Sequence, residues 1–254
     1  MPSRPPSDTP DTLPAEIATI GESRVRAVVW PTRGLVSRER WFDELYVWTE
    51  GQQPGTMQRA RIQLDTLNKG FAMVEEELAG HVAVTLSFGT IERCLDLVTQ
   101  VFDSHRLHCH RMAILVRGQI DRIRSPYRVQ SFLDWLRNQQ VPVGYRLTAP
   151  RIGMEMKAID FVRPDFAKVL APQSRRLEFW QDALLESRAA GLNPDWLIVA
   201  GIETAAQREL AAAAGYRFAQ GTAIKPCHAP PRTRQATLTW PGVRDAAAEG
   251  TAQA

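Results

Sequence analysis

The stretch from residue 196 to residue 221 constrains the fold more than any other part of the sequence. It begins with a short, continuously apolar run, Trp196 to Ala200, as expected for a strand that is buried on both faces. Thr204 and Gln207 then have the spacing of a capping box, which opens a helix. Gly215 can take the positive φ angle that ends such a helix. The stretch therefore predicts a strand, a tight turn and a helix, followed by another strand.

The same alternation of apolar runs and helical periodicity extends over most of the chain. The candidate strands are Arg24–Trp30, Val82–Leu86, Met112–Val116, Val143–Leu147, Phe166–Leu170, Trp196–Ala200 and Tyr216–Ala219, and an eighth strand is expected near Glu16–Ile20. The candidate helices are Leu64–Leu78, Ile91–Phe102, Tyr127–Gln139, Arg175–Ala190 and Thr204–Ala214. Strands that alternate with helices predict parallel β-α units with right-handed crossovers, and hence an α/β fold that could close into a barrel.

The composition is that of an ordinary globular protein. The 254 residues fit one large domain, about the length of a single (β/α)8 barrel, and a formal net charge of +3 argues against a dedicated nucleic-acid binder. No apolar run reaches the length of a membrane span, and three cysteines without a metal-type pair fit a reducing cytoplasm. Residues 1–14 are predicted to be a disordered leader, and residues 229–254 an irregular C-terminal tail.

The end of the barrel pattern resembles the EAL domain, a bacterial family that binds cyclic di-GMP and hydrolyses it with divalent metal. The family pattern A-E-G-V-E-T, helix, G-x-x-x-x-Q-G and a closing proline is similar to Val199–Thr204, Gly215, Gln220-Gly221 and Pro226. The resemblance implies a TIM-like (β/α)8 barrel of the EAL type over residues 15–228. It also implies that Lys168, Glu203 and Gln220 correspond to residues of the family's site.

Most of the acidic residues that the resemblance calls for are replaced. The opening motif E-A-L-x-R-W, placed on Val25–Trp30, has no carboxylate, and the V-N-L-S motif has Thr85 for its metal-binding asparagine. The other replaced positions are the first acid of L-E-I-T-E (Leu115 or Arg117), both aspartates of D-D-F-G-T-G (within Tyr145–Arg151), the closing aspartate of D-Y-I-K-I-D (Leu170) and the first acid of the last motif (Ala200). Clustered carboxylates hold the divalent cations of such phosphodiesterases, so divalent metal binding is expected to be lost.

The residues left at the predicted barrel mouth allow two interpretations. Lys168, Glu203 and Gln220 could form a ligand pocket, or they could be a structural remnant in which Glu203 stabilises a helix N-terminus and pairs with Lys168. The arginines near the former acid positions could contact an anion, or they could be solvated residues of the rim; they are Arg117, Arg146 and Arg151.

Three further segments carry residues that could have a function or be structural. The run from Ser104 to His110, with three histidines and Cys109, could bind zinc or copper, but its spacing matches no closed zinc site and a loop is expected there. The segment Trp41–Trp48 is predicted to be a helix that packs on the barrel, with an exposed surface for a partner as the alternative. Trp180 and Trp196 are expected in the core.

These observations predict a catalytically inactive EAL-like domain that regulates by binding another protein in signalling related to cyclic di-GMP. The resemblance suggests as partners a regulator of transcription or motility, or a signalling enzyme, and no nucleic acid or membrane. The alternative is a cyclic di-GMP receptor without hydrolysis, and an active phosphodiesterase with a rebuilt metal site is the third hypothesis. By analogy with the family a homodimer is also considered.

Overall fold

The computed structural model describes residues 15–20, 23–51, 54–147 and 152–233. In this part of the chain nine strands form one sheet in chain order, and the second strand also pairs with the ninth, which closes the sheet. The strands are β1 (Ala15–Ile20), β2 (Ser23–Gly34), β3 (Arg40–Glu50), β4 (Val82–Ser87), β5 (Met112–Arg117), β6 (Val143–Arg146), β7 (Phe166–Leu170), β8 (Leu197–Ala200) and β9 (Phe218–Gln220). Strands β2 to β9 form the closed ring, so the predicted TIM-like (β/α)8 barrel is confirmed.

Helices follow the parallel strands, as the alternating pattern predicts. The helices in the described ranges are α1 (Thr56–Glu75), α2 (Phe88–Arg93), α3 (Leu95–Ser104), α4 (Pro126–Asn138), α5 (Met156–Val162), α6 (Leu177–Ala189) and α7 (Ala205–Ala214), with short 3-10 turns between some of them. Two differ from the sequence prediction: the helix expected over Ile91–Phe102 is divided at Cys94, and α5 was not predicted. No helix in the described ranges is both long and apolar enough to cross a membrane.

The first two strands of the barrel form an antiparallel hairpin, which corrects the prediction of parallel units throughout. The second of them, β3, occupies the segment Trp41–Trp48, for which the prediction of a helix was wrong. Aromatic and β-branched side chains favour a pleated strand, and the alternation fits one: Phe42 packs inside the barrel, while Leu45 and Val47 pack towards the helices.

The strand expected near Glu16–Ile20 exists, but it does not fill the eighth place in the barrel. It is β1, which pairs antiparallel with the first residues of β2, Ser23 to Ala27. The last residues of β2, Arg33 and Gly34, pair with β9 and close the ring. β1 therefore extends the sheet beside the barrel, and β3 is the eighth strand of the ring.

Helix α7 has the ends that the sequence predicts. The Thr204 side chain accepts a hydrogen bond from the Gln207 backbone, and the Gln207 side chain accepts from the Thr204 backbone in return. Gly215 ends the helix in the left-handed region, with φ at 99°. Gly221 lies so close to the Ile202 backbone that a Cβ atom would come within 2.1 Å of its carbonyl oxygen, so this turn requires glycine.

Two apolar clusters stabilise the barrel. The larger one lies between the strands and the surrounding helices and includes Trp180, which is fully buried as predicted. The smaller one fills one end of the barrel interior with Phe42, Ala83, Ala113, Leu115, Phe166, Ile198 and Phe218. Trp196, which was expected in the core, is 39% exposed and packs on Phe218 at the margin of this cluster, so that prediction was wrong.

The predicted terminal segments are described only in part. Residues 1–14 and 234–254 lie outside the described residues, and the domain boundaries at residues 15 and 228 stay predictions. Residues 229–233 form neither helix nor strand, and the rest of the predicted tail stays a prediction.

Candidate functional site

A layer of mostly polar side chains lies inside the barrel next to the smaller apolar cluster. Side chains alternate between the two faces of a strand, so the residues two positions beyond the apolar cluster also point inward. They lie towards the carboxyl ends of the parallel strands, where (β/α)8 barrels build their sites. We call them the inner layer: Glu44, Thr85, Arg146, Lys168, Ala200 and Gln220, together with Leu115, which also contacts the apolar cluster.

Glu44 is the centre of the inner layer. Its side chain is fully buried, and Lys168 Nζ donates a short hydrogen bond to its Oε2 atom. On the other carboxylate oxygen, Oε1, Thr85 Oγ1 donates at 3.4 Å and Arg146 Nη1 lies 3.8 Å away. The one carboxylate of the layer is therefore held between two cationic groups.

Burial and the charges of the layer shift the pKa values of both partners in this ion pair. Burial alone would raise the pKa of Glu44, but the charges of Lys168 and Arg146 outweigh it and hold the pKa below its usual value. Burial, with a smaller contribution from Arg146, lowers the pKa of Lys168 to about 8 against the opposing effect of Glu44. Glu44 is thus ionised at neutral pH, and Lys168 is still mostly protonated.

Glu44 was missed in the sequence analysis, although a signal for it was present. The opening motif E-A-L-x-R-W was placed on β2, where no carboxylate occurs. The run Glu44-Leu45-Tyr46 begins with glutamate on the next strand of the same hairpin. The signal is weak because the aromatic segment around Glu44 favours the interpretation of a helix that packs outside the barrel.

The surroundings of Glu44 do not fit a divalent cation. Hard cations such as Mg²⁺ and Ca²⁺ take several oxygen ligands, chiefly carboxylates, carbonyls and water. In the inner layer the neighbours of Glu44 are instead an ammonium and a guanidinium group, and the positions of Leu115 and Ala200 carry no ligand atoms. Within the described ranges no three His, Cys, Asp or Glu side chains come together as a group that could hold a metal.

The three family-matching residues do not form one pocket. Lys168 and Gln220 are both buried in the inner layer, where Gln220 Nε2 donates to Thr32 Oγ1 at 2.6 Å and to the Trp30 carbonyl oxygen at 3.3 Å. Glu203 is exposed beyond the end of β8, at the start of α7. The interpretation in which Glu203 pairs with Lys168 is therefore wrong, because Lys168 pairs with Glu44.

Two of the three arginines predicted at the mouth line one cleft. Arg117 and Arg146 lie at the ends of the neighbouring strands β5 and β6 and border a cleft of about 250 Å³ between β3 and the N-terminal half of α1. Arg146 is only 7% exposed, which rules out a solvated rim residue at that position. Arg151 lies outside the described residues.

The segment with three histidines packs partly against α1. It forms a 3-10 turn, Arg106–Arg111, in which Cys109 is buried. His105, just before it, stacks on Phe71, and its Nδ1 lies 2.5 Å from Glu75 Oε1. This arrangement assigns His105 and Cys109 to packing between the helices.

The comparison with solved structures finds EAL-domain barrels, so the closed barrel of this chain has the EAL-type fold. The chain is similar to "PaMucR Phosphodiesterase, c-di-GMP complex", at 14% identity and a TM-score of 0.60 over 81% of this chain and 92% of that one. It is also similar to an EAL domain protein from Listeria monocytogenes EGD-e, at 10% identity and a TM-score of 0.61 over 81% and 89% of the two chains.

A third similar structure is that of BlrP1 from Klebsiella pneumoniae, in a complex with manganese and cyclic di-GMP. The identity is 18% and the TM-score 0.61 over 82% of this chain, which spans only 57% of that longer protein. No protein-family model matches the sequence, and no curated protein matches it. At these identities the likeness establishes the fold.

Proposed function

We propose that this protein is a catalytically inactive EAL-type barrel that regulates by binding another protein. The observation that carries the proposal is the ion pair at the centre of the inner layer. Lys168 and Arg146 engage the carboxylate of Glu44 where a phosphodiesterase of this family would hold a metal ion. A carboxylate that is neutralised in this way has little attraction left for a cation.

The register of the strands supports the proposal. With Glu44 as the first residue of the opening motif, the resemblance puts the asparagine ligand at Thr85 and a further acid at Leu115, and these two residues are paired across β4 and β5. Ala200 on β8 lies in the same layer, at the position that the first acid of the last motif would occupy. Three of the positions that would surround the metal thus carry a hydroxyl, an isobutyl and a methyl group.

Loss of the metal ligands removes the water-activating group on which hydrolysis depends in metal phosphodiesterases. The barrel remains closed and well packed, so its surface can still bind a partner. We place this role in the bacterial cytoplasm and in signalling related to cyclic di-GMP. The partner would be a regulator of transcription or motility, or a signalling enzyme.

Affinity capture from a lysate of the source organism tests the protein-binding part of the proposal. The tagged chain is the bait, and the EAL domain of the Listeria protein, which has the same fold at 10% identity, is the matched control bait. We expect at least one protein to be enriched on this chain over the control, and the same pair to associate when both are purified. If nothing is enriched over the control bait, regulation through a protein partner is contradicted.

A cyclic di-GMP receptor without turnover is the second candidate. The observation in its favour is that Arg117 and Arg146 line a cleft at the barrel mouth, because guanidinium groups bind phosphate through paired hydrogen bonds. Isothermal titration with cyclic di-GMP in the absence of divalent metal distinguishes the candidates. Saturable heat that is lost in Arg117→Gln would favour the receptor, and the absence of heat would leave the protein-binding role.

A further inference from the structure

The cleft at the barrel mouth has an unusual concentration of positive charge. It lies between β3 and the N-terminal half of α1, and its lining includes eight polar side chains, those of Tyr46, Thr49, Arg59, Gln63, Thr66, Thr85, Arg117 and Arg146. Three of these eight are guanidinium groups, and the described lining residues include no aspartate or glutamate. The buried acid Glu44 lies beneath the cleft, where Lys168 and Arg146 already engage it.

The arginines hold their positions without a counter-ion in the cleft. Arg59 is anchored because its Nε atom donates to the Pro54 carbonyl oxygen at 2.9 Å. The side chain of Arg117 makes no ion pair with a described residue, and burial, followed by the charge of Arg146, lowers its pKa. Like charges gathered in this way cost free energy, which an anion would recover.

Arg146 provides a second, independent indication of a ligand. Its Nη1 atom is buried and makes no hydrogen bond within the described part of the chain, because the Glu44 Oε1 atom with which it forms an ion pair lies 3.8 Å away. Its guanidinium lies 5.1 Å from the centre of the Tyr46 ring, which fixes the side chain at the wall of the cleft. A buried donor without an acceptor is costly, so this group is poised to donate to a bound molecule.

We propose that the cleft binds a small phosphate-bearing anion, either inorganic phosphate or a small phosphate monoester, through Arg59, Arg117 and Arg146. Guanidinium groups match the oxygens of phosphate with paired hydrogen bonds, and a doubly charged anion balances most of the charge in the cleft. A volume of about 250 Å³ lies below the range of about 300 to 1,000 Å³ that is typical of sites for larger organic ligands. The inference is independent of the protein-binding role and goes beyond it.

Isothermal titration with inorganic phosphate and with glycerol phosphate, at constant ionic strength, tests this site. The variants are Arg117→Gln and Arg59→Gln, which leave the Glu44 ion pair intact, and the control is Arg175→Gln on an exposed part of the chain. We expect saturable binding that weakens about tenfold or more in the two cleft variants and stays unchanged in the control. The tighter of the two ligands identifies the source of the phosphate group.

Two results would overturn the proposal. One is the absence of saturation by about 10 mM of either phosphate ligand, which would assign the unpaired Arg146 donor to water. The other is binding that Arg117→Gln and Arg59→Gln leave unchanged while thermal melts show both variants to be folded. Binding of cyclic di-GMP with no binding of either small phosphate would count as the first of these results.

Discussion

At the scale of single residues, Glu44 is the buried negative charge at the centre of the inner layer. It is fully buried, and its charge is tolerated because Lys168 and Arg146 surround it. Such a buried pair contributes little net stability as a unit, yet the loss of one partner leaves an uncompensated charge in a medium of low polarity. The energetic role of Glu44 is therefore visible only when one partner is changed at a time.

Replacing Glu44 tests this ion pair directly. Glu44→Gln leaves Lys168 and Arg146 without a counter-charge and should lower the free energy of unfolding by about 3 kcal/mol. In a double-mutant cycle with Lys168→Met, the double variant should lose at least about 1 kcal/mol less than the sum of the single variants. Urea unfolding measures each value.

The control for this cycle is Glu39→Gln, which removes an exposed carboxylate that lies 3.6 Å from Arg217. A surface pair of this kind contributes little, so we expect a change within about 0.5 kcal/mol. Strict additivity of Glu44→Gln and Lys168→Met would show that the two side chains do not interact as described.

Asp65 predicts a pH dependence of stability. Burial, opposed by Arg61, raises the pKa of Asp65 to about 6, and its Oδ1 atom is buried without a hydrogen bond. The folded state therefore binds a proton more tightly than the unfolded state, and this contribution to stability is lost as the pH rises towards 6. Asp65→Asn should raise the free energy of unfolding by about 1 kcal/mol at pH 7.5, after allowance for partial solvent screening, and by much less at pH 4.

Urea unfolding at both pH values measures this effect, and Asp182→Asn on the exposed side of α6 is the control. A gain for Asp65→Asn that is equal at the two pH values would show that Asp65 titrates normally in the folded protein.

At the scale of elements, the sequence predicts most of the parallel strands but not the antiparallel hairpin of β2 and β3. The parallel strands and α7 follow from local patterns, namely apolar runs and a capping box, and they were predicted. The segment Trp41–Trp48 carries apolar or aromatic residues on both faces, because one face packs inside the barrel and the other against the helices. Such a strand lacks polar–apolar alternation, so its period could not be recognised from the sequence.

The contact between β6 and β7 inside the barrel is tight enough to test. A Cβ atom on Gly144 would lie 2.4 Å from the Phe166 ring, so Gly144→Ala should lower the free energy of unfolding by about 1 to 3 kcal/mol through overpacking. In the double variant Gly144→Ala/Phe166→Leu the smaller leucine side chain makes room for the added methyl group. The double variant should therefore lose about 1 kcal/mol less free energy of unfolding than the two single variants lose in sum.

Chemical denaturation gives these values, with Gly80→Ala as the matched control because no heavy atom lies within 4 Å of its added Cβ. The close packing of these strands would be refuted if Gly144→Ala were as mild as Gly80→Ala.

At the scale of the whole molecule, the barrel is complete, and its inner layer holds one carboxylate between two cationic groups. The fold depends on apolar periodicity, which survives many substitutions, so the barrel and its EAL type could be predicted from the sequence. The site depends on which side chains meet across the barrel, and that requires the register of β3 against β4. Without that register, the sequence allows a pair between Lys168 and Glu203 and gives no indication that Glu44 is the actual partner.

The most direct test of the central claim is a turnover assay with cyclic di-GMP. The purified chain is incubated with cyclic di-GMP and either Mg²⁺ or Mn²⁺, and the linear dinucleotide product is quantified by chromatography, with the EAL domain of the PaMucR phosphodiesterase as the positive control. We predict no product above the protein-free blank with either metal, because Lys168 and Arg146 occupy the carboxylate of Glu44. Metal-dependent product that disappears in Glu44→Gln, with that variant still folded, would contradict the account.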